Sequence, residues 1–191
     1  MLFRSEGATI ATGSVRRKHQ LSWKRPDCKI VDLRGNVPTR LRKLAENDWD
    51  AIVLARAGLE RLGFSLARSE ITFEGRQFFT EVLPLQIFLP AGGQGIIVLQ
   101  IRADDESMKG IVDLVNDCDT LVCLRAEREF LRLLQGDCNS PVGVLATIEN
   151  GKMELRAQVF EKESVTPREG AVEGGRHDGE RLAVRLLGKI Q

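Results

Sequence analysis

Five arginines in the first third of the chain are the residues whose type and spacing suggest chemistry. Two of them follow Ser14, which the pattern predicts to be the N-cap of a helix. Backbone N–H groups and the helix dipole favour an anion at such a terminus. The planar arginine fork suits a carboxylate, because it donates two parallel hydrogen bonds. The five arginines predicted to bind one anionic ligand are Arg16, Arg17, Arg34, Arg40 and Arg61.

The convergence of these arginines depends on where their loops lie. Arg34 directly follows a predicted strand, and the loops before Arg40 and Arg61 also follow predicted strands. In an open α/β sheet, loops at the carboxyl ends of strands face a common crevice. A solvated basic face stays an open alternative. A phosphate-binding nucleic-acid site is disfavoured, because the net charge is +1, Tyr is absent and no helix-turn-helix or zinc signature occurs.

Four cysteines raise the question of a second reactive group. No CxxC pair exists and the two histidines lack metal-ligand spacing, so a zinc site is not expected. Cys28, Cys118 and Cys123 are interpreted as small hydrophobic residues in or near the core. Cys138 differs, because it lies in a polar loop between a predicted helix and a predicted strand. A loop thiol can be a nucleophile or an attachment point.

The elements that must position the arginines alternate between strand and helix. This order predicts an α/β domain with a largely parallel sheet. The last of its strands is continuously apolar and is predicted to be buried on both faces. The predicted strands are 8–11, 29–33 and 51–55, and the predicted helices are 15–23, 38–44 and 57–62.

The rest of the chain predicts a different architecture. Residues 64–88 show no regular pattern, 96–101 predict another buried strand, and 104–109 predict a polar linker. An Asn150–Gly151 turn predicts a hairpin between two strands, and amphipathic helices are predicted on either side. We therefore expect a small α+β domain with an antiparallel sheet and helices on one face. Its predicted helices are 119–134 and 178–190, its predicted strands are 142–148 and 153–160, and 161–177 is predicted to be loop.

The composition fits an ordinary globular protein, with 42% hydrophobic and 29% charged residues. The N-terminus lacks the continuous apolar core of a signal peptide, and no apolar run is long enough to span a bilayer. We therefore expect a cytoplasmic protein with reduced thiols and no membrane partner.

Several strings together resemble the porphobilinogen deaminase (hydroxymethylbilane synthase) family. They occur in the family's order and cover nearly the whole chain, so together they are highly specific. The matching segments are 12–17 (TSSLRR in the family), 34–44 (RGNxxTRLxKL), 51–63 (AxxLAxAGLxRLG), 89–95 (LPAxGQG) and 126–138 (AER…LxGGC).

The resemblance implies a three-domain transferase of tetrapyrrole and heme biosynthesis. It condenses four porphobilinogen units, with loss of ammonia, into hydroxymethylbilane. It also implies a dipyrromethane cofactor joined by a thioether to Cys138, a substrate that carries carboxylates, and a monomer. Cofactor binding falls on Ser14, Arg16, Arg17, Arg34 and Arg40, and substrate binding falls on Arg61.

The resemblance also implies a division of the chain. A periplasmic-binding-protein-like α/β domain with a mixed sheet is expected over 1–89. A crossover segment of the N-terminal domain is expected over 90–112, and the C-terminal α+β domain with the cofactor cysteine over 113–191. The strand predicted at 96–101 would then lose its sheet neighbours.

The sequence departs from the family pattern in ways that affect activity. The family's catalytic aspartate lies in the N-terminal domain, for which we find no counterpart here, so we expect a fragment that cannot turn over porphobilinogen. Gly13 replaces a serine, and Asp137 brings a negative charge beside the cysteine. A non-catalytic anion-binding module of the same fold stays the alternative.

Overall fold

The computed structural model describes residues 5–135, 140–161, 164 and 166–191. The chain divides into two compact units. The first comprises Met1–Phe88 and Phe160–Pro167, and the second comprises Leu89–Val159 and Arg168–Gln191. Both parallel and antiparallel strand pairs are present, which confirms the mixed α/β class.

The first unit is built on three parallel strands in the order β2-β1-β3. Each strand is followed by a helix, which confirms the predicted alternation. Because the strands are parallel, the loop after each of them leaves the sheet at the same edge. The elements are β1 Thr9–Ala11, α1 Val15–Lys24, β2 Lys29–Val31, α2 Val37–Glu46, β3 Ala51–Ile52 and α3 Arg56–Glu60.

Side-chain caps set the start of the first two helices. Ser14 has extended backbone, and its hydroxyl accepts from the Arg17 N–H at 3.5 Å, which confirms the predicted N-cap. Asn36 caps α2 in the same way, accepting from the Thr39 N–H at 3.0 Å. Pro38 occupies the first turn of α2, where its missing N–H costs no helical hydrogen bond.

The third strand is shorter than the sequence predicts. A strand over 51–55 that is buried on both faces is wrong, because β3 ends at Ile52 and both of its residues are half-buried. It pairs with β1 alone in the described part of the chain. Beyond Ile52, the Val53 carbonyl accepts from an arginine side chain and the strand does not continue.

The irregular segment 64–88 contains a hairpin that the sequence pattern did not predict. Its strands are β4 Glu70–Phe73 and β5 Arg76–Phe79. Ile71 on β4 packs with Leu41 of α2 and Leu59 of α3 in a small apolar cluster. The Arg42 side chain of α2 holds the hairpin turn through an ion pair with Glu74 at 2.6 Å.

Two predictions for residues 96–109 are wrong. Residues 96–101 form no strand, and Ile97 and Val98 are 71% and 69% exposed. A short apolar run becomes a buried strand only when it finds a pairing partner, and none is present among the described residues. Part of the predicted linker is helical, as α4 Glu106–Asp113, because Asp105 caps the Met108 N–H at 2.9 Å.

The second unit packs two helices against a three-stranded antiparallel sheet of order β6-β7-β8. The long helix and the hairpin are confirmed, and Asn150 and Gly151 adopt the positive φ angles of 52° and 74° that the predicted turn requires. The elements are α5 Cys118–Leu133, β6 Val142–Glu149, β7 Lys152–Val159, β8 Arg168–Gly175 and α6 Gly179–Ile190.

The strand β8 lies in a segment that we predicted to be loop, and that prediction is wrong. Its sequence is rich in glycine, which is unusual for a strand interior. The glycines permit close packing, because a Cβ at Gly170 would lie 2.9 Å from Ile190, and one at Gly174 would lie 3.0 Å from Leu182. The helix α6 can therefore approach β8 closely.

The core of the second unit explains its arrangement. Alternate residues of β7 point to the helices, and Met153, Leu155 and Ala157 are buried there. Phe130 of α5 and Leu186 of α6 enter the same cluster with no exposed surface. The apolar faces of both helices thus cover the same face of the sheet.

The described residues contain neither a membrane-spanning helix nor a cluster of metal ligands. No helix there is both long and apolar enough to cross a membrane. The same residues contain no group of three or more His, Cys, Asp or Glu side chains that could hold a metal ion.

Candidate anion-binding site

The loop between β1 and α1 forms the centre of the candidate site. Thr12 is buried, and its N–H donates to the Val31 carbonyl of β2 at 2.9 Å. Its hydroxyl in turn accepts from the Ser14 N–H at 3.3 Å. The carboxyl ends of two neighbouring strands are thereby tied together, and α1 starts at that edge with its N-terminus.

Arg17 crosses from α1 to the end of the third strand. Its side chain is buried, and Nη1 donates to the Val53 carbonyl at 2.8 Å. This bond satisfies a carbonyl that the short β3 leaves without a strand partner. The guanidinium is therefore fixed at the carboxyl edge of the sheet.

Arg16 lies beside Arg17 in a second buried setting. It is 5% exposed, and its Nη1 donates to the Gln20 Oε1 at 3.1 Å. The guanidinium carbon also lies 6.0 Å from the centre of the Phe88 ring. A buried arginine is unusual, and its burial requires polar and aromatic partners of this kind.

Arg40 and Arg34 belong to the α2 side of the site. The half-buried Arg40 donates from Nε to the Gly35 carbonyl at 2.6 Å. Arg34 is exposed, and its carbonyl accepts from the Lys43 ammonium at 3.1 Å. Both follow β2, so they lie on the same edge of the sheet as the loop after β1.

Arg61 is placed differently from the other four arginines. It follows the last residue of α3, and its side chain is exposed. The helix begins at Arg56, so Arg61 lies five residues farther from the end of β3, or about 7 Å along the helix axis. Arg56 is nearer to the edge and is paired with Glu60 at 2.7 Å.

The charges of the buried arginines act on one another. Burial and, secondly, the charge of Arg17 lower the pKa of Arg16 to about 10. Burial and then the charge of Arg40 lower the pKa of Arg17. These directions mean that the folded protein holds two neighbouring positive charges, those of Arg16 and Arg17, in a poorly hydrated place, where an anion would be stabilised.

The cysteines divide into those that the structure describes and one that it does not. Cys138 lies outside the described residues, as do its neighbours Gly136, Asp137 and Asn139. Burial raises the pKa of Cys28 and, together with nearby carboxylates, raises that of Cys123 to about 11. Both thiols are half-buried, as a residue near the core would be. Cys118 is exposed, so its predicted place in or near the core is wrong.

A buried carboxylate organises the motif residues of the second unit. Glu127 is 4% exposed, and its two oxygens accept from the Gly93 N–H at 2.6 Å and the Ala146 N–H at 2.9 Å. Burial raises its pKa, although the two backbone bonds act in the opposite direction. Glu127 thereby joins the glycine-rich turn after Leu89 to both α5 and β6.

Sequence reasoning missed three of the groups that hold the arginines. These are the Gln20 amide, the Phe88 ring and the Val53 carbonyl. The spacing of four residues between Arg16 and Gln20 was a usable signal, because such residues are neighbours on a helix. The other two contacts join residues that are distant in sequence, and no local pattern indicates them.

Two family models match the chain. The first, described as porphobilinogen deaminase, dipyromethane cofactor binding domain, matches residues 4–110. The second, described as porphobilinogen deaminase, C-terminal domain, matches residues 121–190. The first match contains the arginine site, and the second contains Glu127, the whole three-stranded sheet, α6 and most of α5.

Curated relatives of the chain carry the name porphobilinogen deaminase. The protein of Pelotomaculum thermopropionicum is 40% identical over 184 residues, which is 96% of this chain and 55% of the relative. That of Brevibacillus brevis is 44% identical over 155 residues, or 81% of this chain and 47% of the relative. That of Moorella thermoacetica is 40% identical over 186 residues, which is 95% of this chain and 56% of the relative. The chain spans about half the length of these relatives.

Proposed function

The chain belongs to the porphobilinogen deaminase family, and on that basis we propose that its arginine site binds the carboxylates of a dipyrromethane cofactor and of the growing pyrrole chain. The observation that carries this proposal is the buried pair Arg16 and Arg17 at the carboxyl edge of a parallel sheet. Burial and like charge lower the pKa of Arg16 and of Arg17. A carboxylate would offset the repulsion between the two guanidinium groups and would give the buried charges a partner.

The donor chemistry of the site fits such a cofactor. A dipyrromethane carries acetate and propionate groups, which accept the paired N–H bonds that a guanidinium donates. When bound, the cofactor supplies the pyrrole end to which substrate units are added. The residues of this chain bind and orient its carboxylates, and each further ring brings two more that need partners.

We assign the individual roles as follows. Arg16, Arg17 and Arg40 hold cofactor carboxylates, since the first two are buried and the third affects the pKa of Arg17. Arg34 and Ser14 assist them from the loops at the same edge. Arg61 receives the incoming substrate, a role for which its exposed side chain is suited.

The activity of the complete protein would be that of hydroxymethylbilane synthase. It would condense four porphobilinogen units into hydroxymethylbilane, with loss of ammonia, as a monomer in the cytoplasm. The 191 residues alone should not perform this reaction, since they include no counterpart of the family's catalytic aspartate. Colorimetric detection of tetrapyrrole after incubating the purified chain with porphobilinogen tests this, and measurable turnover would refute it.

Cys138 is the proposed attachment point of the cofactor through a thioether. The support is its match to the family's cysteine position and the raised pKa of Cys28 and Cys123, which makes those thiols poorer nucleophiles. Intact-mass spectrometry of the complete protein after expression with porphobilinogen supply should show the added mass of a dipyrromethane. The mass should return to that of the bare chain in a Cys138→Ser variant, whereas Cys118→Ser should retain the adduct.

We also propose how the chain divides into three segments. Residues 1–89 would form a periplasmic-binding-protein-like domain with a mixed sheet, 90–112 a crossover segment, and 113–191 the C-terminal domain. The β2-β1-β3 order supports the first of these, because it is typical of doubly wound folds. The exposed apolar side chains of Ile97 and Val98 support the second, since a further sheet would cover them.

The role of the buried pair Arg16 and Arg17 can be tested by titrating the chain with porphobilinogen in a calorimeter and recording the binding heat. Arg16→Met and Arg17→Met should each raise the Kd about tenfold, because a hydrogen bond to a charged group is lost. Arg56→Met is the matched control, since it removes an equal charge from an exposed ion pair in the same unit. Equal effects of all three variants would indicate only a nonspecific basic surface.

The loop at Gly13 favours the alternative function, that of an anion-binding module without catalysis. Gly13 stands where the family pattern has a serine, and a Cβ at this position would lie 2.3 Å from the Leu33 carbonyl oxygen. The loop after β1 therefore has a shape that the family residue does not fit. Anion binding without a covalent adduct on Cys138 would favour this alternative.

A further inference from the structure

A glutamine one helical turn after Arg16 holds its guanidinium. Gln20 is 0% exposed, and its Oε1 accepts from Arg16 Nη1 at 3.1 Å. Residues four apart lie on the same face of a helix, so the fold of α1 alone brings the two side chains together. A fully buried glutamine side chain is uncommon, and the bond to Arg16 satisfies its amide oxygen.

Phe88 is a second neighbour of the same guanidinium. Its ring centre lies 6.0 Å from the guanidinium carbon, and the ring is buried in the cluster that also contains Leu21 of α1. The ring is therefore held in place by its packing. A planar cation between a fixed amide and a fixed ring has few orientations left.

We propose that Gln20 is a positioning residue of the anion site, which orients Arg16 toward a carboxylate of the pyrrole ligand. This inference rests on the proposed function, because it assigns that ligand to Arg16. An oriented guanidinium loses less freedom when the ligand binds, so orientation raises affinity without a contact to the ligand. Gln20 acts through Arg16 and need not touch the substrate.

The neutral amide suits this role better than a carboxylate would. It offers an acceptor oxygen to Arg16 without adding a negative charge. A glutamate at this position would form an ion pair with Arg16 and would compete with the ligand's carboxylate for the same guanidinium. Replacement of Gln20 by Glu should therefore separate the orienting effect from the binding effect.

The orienting effect can be measured without any ligand, in the full 191-residue chain. NMR of arginine side chains gives the rate at which the Arg16 guanidinium rotates about its Nε–Cζ bond. Gln20→Met should speed this rotation about fivefold, as the loss of one hydrogen bond predicts. Rotation of Arg17, which is held by Val53, should stay unchanged. An unchanged Arg16 rate would overturn the proposal.

The binding effect is measured with porphobilinogen as the probe. Gln20→Met should raise the Kd about fivefold in the wild-type and Arg17→Met backgrounds. In the Arg16→Met background it should change the Kd less than about twofold, because its effect passes through Arg16. A purely structural role would lower affinity by the same factor in all three backgrounds, and that result would also overturn the proposal.

Gln20→Glu keeps the test decisive if Gln20→Met does not fold. We expect Arg16 rotation at least as slow as in the wild type, a melting temperature that does not fall, and a raised Kd. Faster rotation would contradict the proposal. If the wild-type chain does not bind porphobilinogen, the proposed function fails, whereas the rotation rates still decide whether Gln20 orients Arg16.

Discussion

The first unit buries arginines at the edge of a small sheet, whereas the second fills the space between its sheet and helices with apolar side chains. Arg16 and Arg17 are 5% and 9% exposed, and Phe130 and Leu155 of the second unit have no exposed surface. Burying an apolar side chain stabilises a fold, but burying a charge costs free energy unless a partner compensates. We infer that the first unit loses stability by burying the arginines that bind the ligand, whereas the second unit gains stability from its apolar core.

The largest effect that would test this comparison is the loss of Phe130. Truncation to alanine should lower the free energy of unfolding of the second unit by about 3–5 kcal/mol, because it leaves a cavity among Val144, Leu155 and Leu186. Far-UV circular dichroism during denaturant unfolding measures it. Phe79→Ala is the control, since that ring is 86% exposed and should contribute almost nothing.

The second-largest effect concerns the one buried carboxylate that the second unit contains in its described residues. Glu127→Gln should lower the free energy of unfolding by about 1–3 kcal/mol, because the new NH₂ group would face an N–H that now has an acceptor. The two N–H groups are those of Gly93 and Ala146. Glu129→Gln, at an exposed ion pair with Arg132, is the control.

Glu127 also predicts a pH dependence. Burial raises its folded-state pKa above the ordinary value. As pH rises, the unfolded chain therefore loses this proton first, and the free energy of unfolding falls between the unfolded and the folded pKa. Equilibrium unfolding from about pH 4 upward should show this decline in the wild type and a smaller one in Glu127→Gln. Equal slopes would contradict the burial argument.

An effect of the same order is expected from restoring the family's serine at position 13. Gly13→Ser should destabilise the first unit by about 1–3 kcal/mol, since the added Cβ would lie 2.3 Å from a backbone oxygen of Leu33. Both tryptophans, Trp23 and Trp49, lie in the first unit, so their fluorescence reports its unfolding. Gly63→Ser is a matched control for the close contact, because no atom lies within 4 Å of its Cβ position. Its positive φ still imposes some backbone strain on serine.

The smallest expected effect on stability is that of Arg16→Met. The free energy of unfolding of the first unit should change by less than about 1 kcal/mol, because the removal of a buried charge opposes the loss of the hydrogen bond to the buried Gln20 amide. The same change should weaken porphobilinogen binding. A large loss of stability in the tryptophan fluorescence assay would contradict the proposed trade between stability and binding.

The sequence predicted correctly those features that depend on residues close together in the chain. The N-cap at Ser14, the hairpin turn at Asn150 and the long helix α5 were all predicted, because each depends on residues close together in the chain. The failures required distant partners. The strand β8 forms on β7 with glycines that only the packing of α6 explains, and residues 96–101 form no strand because no partner is present among the described residues.

The candidate site divides in the same way. The sequence by itself determined which arginines follow the strands and which family the motifs resemble, since residue types at fixed spacing carry that information. Only the tertiary structure decided that Arg16 and Arg17 are buried, that Gln20, Phe88 and the Val53 carbonyl hold them, and that Arg61 is exposed. Burial and long-range hydrogen bonds depend on how elements pack, and that packing is a property of the whole unit.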